Sequence, residues 1–155
     1  MGLSASCQKF QNYLDRFNLN LEIQELAKST RTAQQAADAV GCAVGQIVKS
    51  LIFKTGDQPL LFLVSGKNQL DANKVNAALN FQLQKADAHF VREKSGYAIG
   101  GVPPVALAFP MEVFIDLDLM EYDQIWAAAG TPNAVFLLKS NDLPRITGGR
   151  IIDVK

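Results

Sequence analysis

Hydrophobic positions near the start of the chain repeat with the period of a helix. Spacings of three and four residues place four of them on one stripe: Cys7, Phe10, Leu14 and Phe17. The pattern changes to alternation over 21–26, which predicts a short strand. Thr32 and Gln35 have the spacing of a capping box, and Gly41 is placed to end the helix that would follow. We therefore predict one helix along the first stripe and a second over Ala33–Val40.

The middle of the chain has the clearest hairpin pattern. Ile47–Phe53 and Leu60–Val64 are rich in β-branched and aromatic residues, and turn-forming residues separate them at Thr55–Pro59. Similar short apolar runs predict further strands: Phe81–Lys85, Val113–Ile115, Ile125–Ala129, Val135–Leu138 and Ile151–Val154. Helical spacing marks three more segments: 72–79, 88–94 and a turn around Leu143. Helices and strands mingle without strict alternation, which predicts an α+β fold with a mixed β-sheet surrounded by helices.

Composition limits the class of protein. The 155 residues are 48% hydrophobic, so we expect a single domain spanning residues 1–155. The 15 Lys and Arg residues balance the 15 Asp and Glu residues, which argues against a DNA-binding protein that grips many phosphates. No run approaches the ~18 apolar residues of a membrane helix, and Met1–Phe10 lacks the layout of a signal peptide. We expect a cytoplasmic protein with no membrane partner, in which Cys7 and Cys42 are reduced packing residues.

The familiar catalytic and cofactor motifs are absent from the sequence. There is a single histidine, His89, and no GxSxG motif to accompany it, so a serine hydrolase triad is disfavoured. One histidine and two distant cysteines do not predict a metal site, and no glycine-rich nucleotide motif occurs. The acidic run from Glu112 to Asp123 could pair carboxylates as acid and base, but such a run is usually a solvated face. We expect no cofactor.

Lys49 occupies an unusual position in a predicted strand. Alternation places it on the same face as Ile47, Leu51 and Phe53, an apolar setting in which an unpaired ammonium group is costly. Two interpretations stay open. Lys49 lies at a sheet edge or extends to water, or it lines a pocket and meets an anionic or electron-rich ligand.

A loop dense in glycine and proline spans Gly96–Pro104. Within it, Gly100 and Gly101 are conformationally free, whereas Pro103 and Pro104 have a locked φ angle. Such a loop can turn sharply and then hold backbone N–H and C=O groups at fixed positions. A purely structural turn is the alternative.

Taken together, several segments resemble the YbaK/prolyl-tRNA synthetase-associated domain family of aminoacyl-tRNA editing proteins. The matching segments occur in the family's order: Thr32–Ala37, Gln46–Phe53, Gly100–Pro104, Asp118–Leu119 with Tyr122–Asp123, Trp126–Pro132 and Leu143–Gly149. The likeness covers most of the chain, from about Thr30 to Val154, but no motif covers the first helix. The resemblance implies the family's mixed sheet with surrounding helices.

The resemblance also implies a function: a stand-alone deacylase that hydrolyses the ester of mischarged tRNA, with proline tRNA carrying a small wrong amino acid as the expected substrate. Lys49 matches the family's functional lysine. The implied substrate-binding residues are the loop residues Gly100, Gly101, Val102, Pro103 and Pro104, the pocket-closing Gly130 and Thr131, and Thr32 and Ser50 in two other matching segments. The implied partner is the 3′ end of mischarged tRNA, and a synthetase or an elongation factor would be compatible with modest tRNA affinity.

The chain departs from the family pattern after the two prolines. Leu107 stands where relatives often carry histidine, and Pro103 stands where other branches carry serine. These differences leave the preferred amino acid open. Two other functions also stay open: a non-catalytic module that binds aminoacyl-tRNA ends or amino acids, and an unrelated hydrolase that uses His89.

Overall fold

The structure is a computed structural model that describes residues 2–27, 30 and 32–155. The described residues form five α-helices: α1 (Ala5–Leu14), α2 (Ala33–Val40), α3 (Ala72–Leu79), α4 (Ala88–Ser95) and α5 (Asp142–Thr147). They also form eight strands: β1 (Ile23–Glu25), β2 (Val48–Thr55), β3 (Gln58–Ser65), β4 (Gln84–Lys85), β5 (Glu112–Asp116), β6 (Gln124–Ala128), β7 (Ala134–Lys139) and β8 (Arg150–Ile152). The predicted α+β class is confirmed.

The strands form two hydrogen-bonded sheets. The larger is mixed, with the order β4-β2-β3-β5-β8, and its β3–β5 and β5–β8 pairs are parallel. The smaller is antiparallel, with the order β1-β7-β6. A bridge between Ile47 and Trp126 links the sheets next to the start of β2. The mixed sheet agrees with the prediction, but alternation alone did not show that three strands would pair separately.

The predicted hairpin is present, and it is longer than its apolar runs suggested. β2 and β3 pair over eight residues each, from Val48 opposite Ser65 to Thr55 opposite Gln58. The turn therefore contains only Gly56 and Asp57, and Gly56 has a positive φ of 61°. This register fixes the direction in which Lys49 leaves the sheet.

Capping residues define α2 as the sequence predicts. The Thr32 hydroxyl accepts a hydrogen bond from the Gln35 backbone N–H at 3.1 Å, and Gly41 ends the helix with a φ of 77°. The alanine face of the helix then packs close to the sheets, with Ala36 and Ala37 buried. The start of α2 is thereby held beside β2.

The main core lies between the two sheets and α1. Phe10 of α1 packs on Phe136 of β7, with ring centroids 5.7 Å apart. Cys7 is buried in the same cluster, Cys42 is half-buried, and both are free thiols as predicted. Burial raises the pKa of the Cys42 thiol. None of the helices in the described ranges is long and apolar enough to cross a membrane.

Candidate active site

A cavity of about 660 Å³ opens where β2 meets the start of α2 and the segment 99–102. Residues of β6 and the turn that follows it complete its walls, among them Trp126 and Pro132. We call it the lysine cavity. Its lining contains five of the residues predicted as site residues: Thr32, Lys49, Ser50, Gly100 and Val102.

Lys49 supplies the charge of the lysine cavity. It is half-buried, and its ammonium group donates a hydrogen bond to the backbone carbonyl of Asn68. Burial lowers the pKa of Lys49, and the nearby Asp116 carboxylate opposes that shift by raising the pKa. In the described part of the chain, no carboxylate, histidine or cysteine lines this cavity. The cavity thus offers a cation and backbone groups, but no evident general base.

A buried polar network holds Asn68, the residue whose carbonyl accepts the hydrogen bond from Lys49. The Asn68 side-chain amide donates to Asp116 Oδ2 and to Asp118 Oδ2, both at 2.8 Å. Asp116 also accepts the backbone N–H groups of Ser65 at 3.0 Å and of Asp118 at 2.9 Å. Asn68 is itself buried. Each carboxylate oxygen of Asp116 thus accepts a hydrogen bond, which is how a buried charge is tolerated.

The solvated-face interpretation of the acidic run is wrong for two of its members. Asp116 is 1% exposed and Asp118 is 8% exposed; Asp116 is the last residue of β5, and both carboxylates accept from the Asn68 side chain. Hydrogen bonds from Lys155 and Asn68 lower the pKa of Asp118. Asn68 and Asp116 were not predicted as site residues from the sequence. A carboxylate directly after an apolar strand was the available signal.

Ser50 presents a polar atom without a partner. Its Oγ atom is buried and has no hydrogen-bond partner within the described ranges. Buried hydroxyl groups normally have a partner, so Ser50 is an exception among the described residues. Thr32, in contrast, already uses its hydroxyl to cap α2.

The glycine–proline loop divides between the cavity wall and the interior. Gly100 and Val102 line the lysine cavity, whereas Pro103 and Pro104 are buried and do not line it. Gly101 packs directly on the next turn: a Cβ atom there would lie 3.0 Å from the Thr131 Cα and carbonyl carbon atoms. The loop and the turn are therefore in close backbone contact, and a side chain at position 101 would crowd it.

Gly130 and Thr131 belong to a different cavity. This second cavity, of about 750 Å³, is lined by α1, α4, the segments 95–98 and 106–108, and the turn 130–132. We call it the tyrosine cavity after Tyr13 and Tyr97. Leu107, one of the two residues that depart from the family pattern, lines this cavity and does not line the lysine cavity.

His89 lies apart from both cavities. It sits on α4 with 87% of its side chain exposed, and its Nε2 atom is 3.4 Å from a Glu93 carboxylate oxygen. It lines neither of the two cavities. Within residues 2–27, 30 and 32–155, no cluster of histidine, cysteine and acidic side chains could hold a metal ion.

Comparison with known proteins identifies the family. The family profile of the aminoacyl-tRNA editing domain matches residues 27–146. The chain belongs to this editing-domain family. The family resemblance drawn from the sequence is confirmed, and both the lysine of β2 and the loop 100–104 lie within the matched region.

Individual relatives agree with the family assignment. The uncharacterized YwhH protein of Bacillus subtilis (strain 168) is 29% identical over 151 residues, which are 96% of each chain. The proline–tRNA ligase of Thermosipho africanus (strain TCF52B) is 38% identical over 78 residues, which are 50% of this chain but 14% of the ligase. A solved structure provisionally assigned as a trans-editing enzyme for prolyl tRNA synthetase superposes with a TM-score of 0.93 at 45% identity, covering 99% of both chains.

Proposed function

We propose that this chain, acting as one editing domain over residues 1–155, hydrolyses the ester bond of mischarged tRNA in trans. The expected substrate is proline tRNA that carries a small wrong amino acid. The observation that carries the proposal is the shared cavity: Lys49, Ser50, Gly100 and Val102 line one space of about 660 Å³. That volume is within the usual range of small-molecule sites.

The reaction needs no nucleophilic side chain. Water attacks the ester carbonyl carbon, the bond from that carbon to the ribose oxygen breaks, and the ribose oxygen takes a proton. The products are a free amino acid and a tRNA with a free terminal hydroxyl. An aminoacyl ester is already reactive because its ammonium group withdraws electrons, so positioning water and stabilising the oxyanion supply the catalysis. The 2′-hydroxyl of the tRNA assists the attacking water, which suits a cavity that lacks a general base.

Each lining group has a proposed role. Lys49 contacts the phosphate or ribose of the terminal nucleotide. Backbone groups of Gly100 and Val102, the two residues of the loop 100–104 that line the cavity, hold the amino acid's amino and carbonyl groups. The Ser50 hydroxyl, which has no partner in the described part of the chain, donates to the bound ester or accepts from it. The walls select small side chains by size, since a pocket excludes larger groups more readily than smaller ones.

Turnover tests the proposal. Catalytic amounts of the protein are incubated with proline tRNA charged with alanine, serine or cysteine, and the released amino acid is counted per protein molecule. Many releases per molecule with at least one of these substrates are expected. Fewer than one release per molecule with all three would instead indicate the non-catalytic binding module.

A further inference from the structure

The tyrosine cavity adjoins the lysine cavity across a thin wall. Pro132 lines both, and the turn that contains it is in backbone contact with Gly101 of the loop. The Thr30 backbone N–H donates to the Pro132 carbonyl at 3.2 Å, which ties this wall to the segment before α2. A polymer whose end occupies the lysine cavity could therefore continue into the tyrosine cavity.

The charge of the tyrosine cavity is positive. Lys9 of α1 and Arg92 of α4 line it from two sides, and both are exposed. No aspartate or glutamate is among its described lining residues. Neither cation forms an ion pair with any described residue, since the ion pairs of α4 involve His89, Glu93 and Lys94 instead. Two unpaired cations facing one cavity favour an anionic occupant.

The aromatic residues that line the tyrosine cavity indicate which class of anion it binds. Tyr13 and Tyr97 both border the cavity. The Tyr97 hydroxyl donates to the Ala106 carbonyl at 2.9 Å, and burial raises the pKa of Tyr97, so the ring stays neutral and fixed. The Arg16 guanidinium lies over one face of the Tyr13 ring, 4.9 Å from its centroid, so Tyr13 has its other face for stacking. Cations interleaved with tyrosine rings are the surface that single-stranded nucleic acid uses, with phosphates on the cations and bases on the rings.

We propose that the tyrosine cavity binds the single-stranded nucleotides that precede the acylated end of the RNA. The inference rests on the proposed function, because the lysine cavity must hold the terminal nucleotide. Lys9 and Arg92 contact phosphates, while Tyr13 and Tyr97 provide stacking faces. α1, which no motif of the family resemblance covers, thereby becomes part of the RNA-binding surface.

RNA binding tests the inference without requiring catalysis. A hairpin RNA with a single-stranded 3′ extension and the same hairpin with a blunt end are titrated by fluorescence anisotropy. The variant K9A/R92A is compared with K139A/R150A, which removes two exposed cations that do not line either cavity. For the extended hairpin, K9A/R92A should raise Kd about tenfold and reduce the slope of log K against log salt by about 1.4, since each single-strand phosphate contributes about 0.7. The control variant should change neither quantity.

Four results would overturn the inference: an equal loss in the control variant, an equal loss for the blunt hairpin, no loss for the extended hairpin, or competition by adenosine monophosphate as strong as that by the RNA. Thermal unfolding of both variants, expected to match the wild type, shows that the losses do not come from misfolding.

The two proposals fail separately. If the wild type releases no amino acid, but K9A/R92A binds the extended hairpin more weakly than the wild type does, the hydrolytic function is wrong and the RNA site stands. If the wild type hydrolyses mischarged tRNA with turnover, and K9A/R92A binds the extended hairpin as tightly as the wild type does, the RNA site is wrong and the hydrolytic function stands.

Discussion

The Lys49 ammonium group donates a hydrogen bond to the Asn68 backbone carbonyl, while the Asn68 side chain is held by the buried carboxylates of Asp116 and Asp118. Asn68, which accepts the hydrogen bond from Lys49, is therefore itself held in place by hydrogen bonds within the protein. A flexible lysine would lose side-chain entropy on meeting a substrate, but one that is already held loses less. The hydrogen bond to Asn68 thus orients the Lys49 ammonium group before the substrate binds.

Replacing Lys49 with methionine should reduce deacylation sharply while leaving the fold intact. A hydrogen bond to a charged group contributes about 1.5–3 kcal/mol, so kcat/KM should fall roughly 10- to 150-fold. Lys54→Met is the matched control, because Lys54 lies on the same strand and does not line the lysine cavity. Full activity in Lys49→Met, with thermal unfolding like that of the wild type, would remove Lys49 from the mechanism.

Asp116→Asn should change how stability depends on pH. Burial lowers the pKa of Lys49 in the folded protein. Between this lowered pKa and the ordinary pKa of lysine, the unfolded chain binds more protons than the folded chain. The free energy of unfolding therefore rises with pH over that range. Asp116 raises the pKa of Lys49, so its replacement should start this rise at a lower pH. Urea unfolding between about pH 7 and 10 measures the effect, and the shift should vanish in a Lys49→Met background.

Asp116→Asn should also lower the free energy of unfolding at neutral pH by about 1–3 kcal/mol, because an amide cannot accept from all three donors that meet the carboxylate. Glu112→Gln on the same strand is the control, since Glu112 is exposed. Equal stability of both variants would show that the network contributes little.

Ser50→Ala separates substrate binding from folding. Its Oγ atom is buried without a partner in the described residues, so removing it should leave the free energy of unfolding unchanged or raise it by up to about 1 kcal/mol. If the hydroxyl bonds to the substrate, kcat/KM should fall roughly two- to tenfold, the effect of one neutral hydrogen bond. A loss of stability with unchanged activity would mean that the hydroxyl serves the fold instead.

Gly101→Ala should disturb the wall between the cavities. The added Cβ atom would lie 3.0 Å from backbone atoms of Thr131 and 3.2 Å from the Gly130 carbonyl carbon, so the backbone of the turn would have to shift by a few tenths of an ångström. Overpacking of this kind costs about 1–3 kcal/mol of stability, and deacylation should fall with it. Gly2→Ala is the control, because nothing lies within 4 Å of its added atom. Stability equal to that of the control would place the loop farther from the turn.

Local rules predicted the local structure well. Capping chemistry located α2 through Thr32 and Gly41, and the pattern of β-branched residues located the β2–β3 hairpin. Lys49 stood out because a charge interrupted an apolar face. Each of these signals lies within a few residues of the feature that it predicts.

Features that depend on distant contacts were not predictable in this way. The burial of Asp116 depends on Asn68, which lies 48 residues earlier in the chain. The assignment of β1, β6 and β7 to their own sheet depends on pairing choices that alternation does not encode. Gly130 and Thr131 face the tyrosine cavity because the turn closes on Gly101, a contact visible only once the chain has folded.

The parallel pairing of β3 with β5 has a consequence for how this molecule can diversify. Parallel neighbours require a long crossover, and here that crossover carries α3, β4, α4 and the loop 100–104. Apart from the two residues of β4, which pair with β2, these segments are not strands of the larger sheet. Substitutions in this crossover can therefore change the shape of the lysine cavity without altering the register of the β2–β3 pair that carries Lys49, although at a packed position such as Gly101 they also cost stability.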